Sequence, residues 1–336
     1  MRRTLDIYRE RLRTGEIDPL VHWDGRTNGL VFDPADARTP LTLLGFGACR
    51  LDREPYRIET LQRELVLVPL QGRFEIRIGA ETFEGQRSGP FASRPGGSNG
   101  WAIYAPADST VEIVGSGELV YYAAPARGHK PPASVEPGHG REFISGAGVW
   151  RREVTLLASP ETVTTALVVG ETYSPPGLWS GTPLHVHDLD DPDHGQSDHE
   201  EAYFHLARHT AGEWGPYSVQ LLMDGQGLNR AYVIRDHDAF AVAGGAHPVV
   251  AGPAGDLLYV WGLAGTGSDL KMWDVPEFAY LKKIGQVLEE LAKSHPRPAL
   301  SAAAVARVVR EHDLTDEQAH VLRMHMKQQG FEFSGP

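Results

Sequence analysis

A plan of short β-type runs occurs twice in this chain, on either side of a stretch rich in Pro and Gly, and this limits the fold more than any other feature. In the first half ELVLVPL, QGR and FEIRI follow one another, and then come WAIYAP, TVEIVG and ELVYYAAP. Phe74, Ile76 and Ile78 alternate with Glu75 and Arg77, the period-two pattern of a strand with one buried face. The second half repeats the plan with RREVTLL, TALVVGETY, EAYFHLA, YSVQLLM, AYVIRDHDAFAV and DLLYVWGLAG. Laid on itself at an offset of 138 residues, the chain brings Val111 onto Val249, Gly117 onto Gly255, Leu119 onto Leu257 and Tyr121 onto Tyr259. One further residue of shift brings Glu64 onto Glu201. Order is kept, and GHKPPASVEPGHG, which has no periodicity, falls between the copies as a linker. Two copies of one small β barrel are therefore expected, and the 37 glycines and 24 prolines supply their turns.

The expected division is an N-terminal segment (1–40), a first barrel (41–127), the linker (128–140), a second barrel (141–276) and a helical extension (277–336). The extension has apolar residues at helical spacing from Phe278 to Lys293. Ser301 can serve as an N-cap before an Ala-rich run, and Thr315 and Gln318 stand at capping-box spacing. The net charge of -12 argues against nucleic acid as a partner. Cys49 is the single cysteine, which leaves no internal disulfide framework and no thiolate zinc site. The charged N-terminus lacks the apolar stretch of a signal peptide, and no run suits a membrane helix, so a cytoplasmic protein is expected.

Histidine is distributed unevenly. None lies between His22 and His129, whereas the second half holds His185, His187, His194, His199, His205 and His209, then His237 and His247. On a strand, His185 and His187 project from the same face, and so do Glu201, Tyr203 and His205. His247 follows a Gly-Gly-Ala turn and opens another strand. Two histidines, a carboxylate and a distant histidine on three strands can hold a metal with positions left open, which suits catalysis. The first copy has Ser109 where the second has His247, so the first barrel is expected to carry no ligands. His194 and His199 fall in an Asp-rich segment and read as solvated loop residues. His312, His320 and His325 read as ordinary residues of amphipathic helices.

The segments GETYSPPGLWS (Gly170–Ser180), PLHVHD (Pro183–Asp188), EEAY (Glu200–Tyr203), HPV (His247–Val249) and YVWGLAG (Tyr259–Gly265) keep a recognisable order. With them, residues 140–277 resemble the bicupin uronate isomerases. These are the 5-deoxy-glucuronate isomerase family of inositol catabolism and its relative, 5-keto-4-deoxyuronate isomerase. The resemblance implies an all-β bicupin, here with a C-terminal α-helical extension outside the usual family length. It implies a divalent metal, zinc or manganese with iron or nickel also suited, held by His185, His187, Glu201 and His247. Glu201 is chosen over Glu200 because the family ligand directly precedes an apolar-Tyr pair. The implied reaction is aldose–ketose isomerisation of 5-deoxy-glucuronate to 5-dehydro-2-deoxy-gluconate, or of a related uronate.

For proton transfer the candidates are Glu200, Tyr203, His205 and Glu171; for the substrate carboxylate they are Arg230 and Lys271. The expected partners are a small sugar acid and further copies of the chain, as a homo-oligomer such as a dimer. The chain departs from the family at Val186, at Ala246, in the apolar strand from Ser218 to Asp224, and at Asn229 or Arg230, and it spares the ligands. Two alternatives stand beside the isomerase: an iron-dependent cupin dioxygenase, and a sugar-sensing or scaffold protein that kept the metal without turnover.

Overall fold

Each long strand uses both of its faces, one turned into its own unit and the other towards the opposite half of the molecule. In this computed structural model, residues 5–208, 215–266, 270–294 and 299–334 are described; His209 lies outside them. The first unit is an antiparallel sheet ordered Gly29–Phe32, Gly45–Asp52, Thr110–Pro125, Arg63–Ile78, Ala102–Ala105, Ala133–Val135. Tyr56–Glu59 and Glu81–Arg87 extend it off this path. Its two 16-residue strands bend at Gly72 (φ 113°) and Gly117 (φ 140°), where a Cβ would lie 2.1 and 2.0 Å from a facing carbonyl oxygen. Only glycine fits such a bend.

Alternation then sorts the side chains. Leu65, Leu67, Leu119 and Tyr121 turn into the first unit and fill it with an apolar core. Their neighbours Val66, Val68, Val120 and Tyr122 turn outward and join a second core that spans both halves. The second unit supplies the matching face from a sheet ordered Leu20–His22, Asp238–Val242, Gln196–Ala207, Leu257–Gly265, Val168–Ser174, Arg152–Ala158, Arg141–Ser145. Ala202 and Phe204 face the first unit, with Phe204 5.6 Å from the ring of Phe46. A four-stranded sheet, Trp179–Ser180, Val249–Ala251, Ser218–Met223 and Asn229–Ile234, forms the other layer of the second unit. Among the described residues no pairing closes either large sheet, so the expected barrels are layered sheets with open edges.

The halves lock reciprocally. The carboxylate of Glu64, in the first unit, accepts hydrogen bonds from the backbone N–H of Thr165, Ala166 and Leu167 and from the Thr165 hydroxyl. Glu200, in the second, accepts from the backbone N–H of Thr42, Leu43 and Leu44 and from the Thr42 hydroxyl. In the ladders Glu64 stands opposite Ala124 and Glu200 opposite Ala264. Glu64 therefore corresponds to Glu200, one residue from the match made by sequence, and Tyr121 corresponds to Trp261. Where Tyr122 presses its ring against the opposite half, the second copy has Gly262, whose missing Cβ leaves room for it.

The N-terminal segment is shared out: Leu20–His22 pairs with Asp238–Val242 of the second sheet, and Gly29–Phe32 joins the first. Part of the linker, Ala133–Val135, pairs with Ala102–Ala105; three residues at a sheet edge are too short to leave a period in the sequence. The C-terminal helices Pro276–Ser294, Ala302–Glu311 and Asp316–Gln328 build a further core, in which Ile284, Leu288, Leu322 and Met326 share one cluster with Trp150. Ser301 caps the second of these helices, and Thr315 and Gln318 form a reciprocal capping box at the third, as their spacing predicts. Among the described residues no helix is long and apolar enough to cross a membrane.

Candidate metal centre and pocket

His185 lies on a two-residue strand paired with Trp273–Asp274, and His187 follows on the same face. Each of the three clustered histidines is oriented by a backbone carbonyl at Nδ1: His185 by Pro183 (3.1 Å), His187 by His199 (3.0 Å) and His247 by Gly245 (2.7 Å). That contact fixes the tautomer and turns the Nε2 lone pair to the common centre, an arrangement typical of metal-binding imidazoles. One ring nitrogen from each lies within 4.8 Å of the others. Glu201 reaches the same point, with Oε2 3.3 Å from His187 Nε2 and 3.0 Å from His247 Nε2. Three imidazoles and a carboxylate, all aimed inward, fit a divalent cation.

Electrostatics agree with that fit. Burial pushes the Glu201 carboxyl up, but hydrogen bonds and charge from His187 and His247 outweigh it and hold it at about 2. Burial, followed by the charges of His247 and His187, drives His185 down to about 3. Burial also opposes protonation of His187, yet the adjacent Glu201 raises its pKa overall. A carboxylate that stays ionised and crowded imidazoles form an anionic nest for a cation.

Several supporting residues carry no signal in the sequence. Asp188 accepts from the N–H of Gly245 at 2.6 Å and from Gln196 at 2.9 Å, tying the turn before His247 to the strand of His185 and His187. Gly245 has φ 91°, and a Cβ there would lie 2.8 Å from the Met223 carbonyl. Gln220, fully buried in the strand expected to be merely apolar, donates to the His247 carbonyl.

A pocket of about 360 Å³ opens over Glu201 and His185, and its walls include Tyr203, Tyr259, Thr172 and Arg152. Burial and the Glu201 carboxylate push the Tyr203 hydroxyl well above its ordinary pKa. Tyr259, 4.9 Å from Tyr203 ring to ring, donates to Ser180 Oγ at 2.7 Å. Of the four expected proton carriers, Tyr203 alone lines this pocket. Glu200 points to the other face of its strand, into the lock with Thr42–Leu44. Glu171 also turns away and forms a fully buried ion pair with Arg87 of the first unit, at 2.6 and 3.0 Å. His205 keeps the face of Glu201 but lies further along the strand against the rings of Tyr203 and Tyr259. Neither ring nitrogen of His205 has a hydrogen-bond partner among the described residues, and burial drives its pKa down to about 3.

The expected carboxylate-binding cations are also elsewhere. Arg230 is exposed on the strand Asn229–Ile234, and Lys271 is exposed beside Met272 without lining the pocket. His199 is not a solvated loop residue: it is buried on Gln196–Ala207, with Nδ1 2.9 Å from Ser197 Oγ, and its carbonyl orients His187. His194 is exposed beside Asp191, as expected. The Asp-rich segment concealed His199 because its polar residues continue into a strand without changing composition.

Residues 21–281 match the family described as KduI/IolB. A 5-deoxy-glucuronate isomerase from Geobacillus kaustophilus is 30% identical over 226 residues, covering 66% of this chain and 79% of the relative. One from Geobacillus thermodenitrificans is 28% identical over 244 residues, covering 71% and 86%. Among solved structures, an IolB-like protein from Salmonella typhimurium has a TM-score of 0.71 at 22% identity, over 79% of this chain and 99% of that one. A cupin-fold oxalate decarboxylase from Bacillus subtilis has a TM-score of 0.53 at 10% identity, over 90% and 85%. The bicupin architecture with added C-terminal helices is thus the one observed.

Proposed function

Since this chain belongs to the KduI/IolB family and is an isomerase, we propose that it interconverts the aldose and ketose forms of a sugar acid by means of a divalent metal. The substrate in this reading is 5-deoxy-glucuronate or a related uronate, as the relatives' activity suggests. One observation carries it: three histidines with Nδ1 engaged and Nε2 turned inward converge with an ionised Glu201 at the base of the pocket.

His185, His187, Glu201 and His247 would hold the ion, with zinc or manganese suited to that donor set. When bound, the ion supplies Lewis-acid stabilisation of charge developing on the two reacting oxygens. In the reaction the hydrogen on C2 is transferred to C1 and the hydroxyl proton on O2 passes to O1, with no net oxidation. Tyr203, which keeps its proton at Oη, donates it to O1 and recovers one from O2. Tyr259 and Ser180 hold the adjacent wall, and the apolar residues Val154 and Leu263 limit water. The setting proposed with this activity is the cytoplasm, with the chain acting as a homo-oligomer.

The test combines metal analysis of the purified protein with proton NMR of 5-deoxy-glucuronate in deuterated water. Bound metal, replacement of the aldehyde signal by that of a CH₂OH group and no oxygen uptake are expected, and His247→Ala should lose both metal and turnover. A metal-loaded protein that changes no uronate, or that consumes oxygen with ferrous iron, would overturn the reading.

A further inference from the structure

A sugar acid needs a fixed cation or a set of N–H donors for its carboxylate, and neither Arg230 nor Lys271 reaches the pocket. Resting on the isomerase reading above, we infer that Arg152 receives the substrate carboxylate while the reacting carbons lie over His185 and Glu201.

Arg152 opens the strand Arg152–Ala158 and lines the pocket together with His185 and Glu201. Its Nη1 donates to the carbonyls of Trp150 (3.1 Å) and Thr182 (2.9 Å), which fixes the plane of the guanidinium. Its other nitrogens have no acceptor among the described residues, and no carboxylate there lies within ion-pair distance of it. The two fully buried arginines outside the pocket are ion-paired, Arg87 with Glu171 and Arg94 with Glu153; Arg63 is held by carbonyls as Arg152 is, those of Leu43 and Ala123, but it does not line the pocket. A guanidinium held by neutral carbonyls in a partly desolvated pocket is a charge awaiting an anion. Burial already pushes its pKa down, and an incoming carboxylate removes that penalty. The remaining pocket arginine, Arg141, is exposed at the rim, its guanidinium 5.4 Å over the ring of Phe143.

A second observation locates the same residue at a junction. A neighbouring cavity of about 370 Å³ shares Arg152 and His185 with the first, and its far wall is Leu281, Lys282 and Gly285 of the helix Pro276–Ser294. Trp150, whose carbonyl orients Arg152, packs its ring 4.8 Å from that of His325 in the last helix. The helical extension thus holds the residue that holds the arginine. A sugar acid with its aldehyde end at the histidines would extend its carboxylate to this junction.

The experiment compares wild type with Arg152→Met and Arg152→Lys, each manganese-loaded, in kinetics with 5-deoxy-glucuronate and in calorimetry with glucuronate and glucose. For Arg152→Met, KM rises about 10- to 100-fold with kcat much less affected, the preference for glucuronate over glucose falls by the same factor, and Arg152→Lys recovers part of it. Metal content and glucose affinity stay at wild-type values. Unchanged KM and glucuronate affinity in Arg152→Met overturn the inference and leave the isomerase standing. Arg152-dependent glucuronate binding without turnover of any uronate leaves the carboxylate site standing and overturns the isomerase. Loss of metal or of the folded state in both variants marks Arg152 as structural and overturns the inference.

Discussion

Glu200 and Glu201 are neighbours on one strand, 0% and 6% exposed, and they do unrelated work because successive side chains point to opposite faces. Glu201 closes the histidine cluster, whereas Glu200 satisfies three backbone N–H groups of the other half. Glu200→Gln replaces a charged acceptor with an amide whose NH₂ faces donors, at a cost of about 1.5–3 kcal/mol in stability. Thermal unfolding should register that loss while metal content and KM stay near wild type; a collapse of kcat with unchanged stability would restore Glu200 as a proton carrier. Tyr203→Phe should do the reverse, lowering kcat about 10²- to 10⁴-fold with metal stoichiometry unchanged, as read by steady-state kinetics and elemental analysis. The HxH spacing and the alternation of Glu201, Tyr203 and His205 made the cluster legible in the sequence. What they could not disclose was which face meets the other half, because that face is as apolar as a unit's interior. A clue lay in the repeated Thr-x-Leu of Thr42–Leu44 and Thr165–Leu167, each laid against the opposite glutamate. Arg152 gave no signal, since a charged residue opening a strand looks like any solvated end.

At the level of elements, the strands were legible from period two and the helices from their caps, whereas the pairing of Leu20–His22 with Asp238–Val242 was not. That pairing joins residues more than two hundred positions apart, and a three-residue strand carries no pattern of its own. The helical extension also has a role that helical periodicity cannot express: it packs against Ala147 and Trp150, at the entrance to the strand of Arg152. Leu322 is fully buried in its core, so Leu322→Ala should destabilise the extension by about 2–5 kcal/mol. Hydrogen exchange should show faster exchange in Asp316–Gln328 and around Trp150, with KM raised and metal retained. A KM that stays at the wild-type value would separate the extension from the pocket.

Across the whole molecule, charge also bridges the halves. His237 of the second unit faces Glu118 of the first at 3.0 Å and Asp236 at 2.8 Å, and Glu118 also binds Arg50. Burial opposes the charged ring, but these two carboxylates outweigh it and raise its pKa from 6.5 to about 9. Protonated His237 therefore contributes stability that is fully present below pH 6.5 and is lost as pH rises through about 9. Denaturant titrations at several pH values should show His237→Gln less stable than wild type near neutrality, with the gap closing above pH 9. His205 acts at the other end. Its pKa is depressed to about 3, so its contribution is complete above pH 6.5 and declines as pH falls towards 3.

The reciprocal contacts of Glu64 and Glu200 have a further meaning. Two equivalent patches, each supplying one carboxylate and one run of N–H donors to the other, are what an isologous contact between identical subunits looks like. Here both patches sit on one polypeptide, with Tyr122 opposite Gly262 as a difference that two identical units could not show. The chain is in this sense its own dimer. The face through which single units of this kind would associate is already occupied from within, so any homo-oligomer it forms must be built on a different surface.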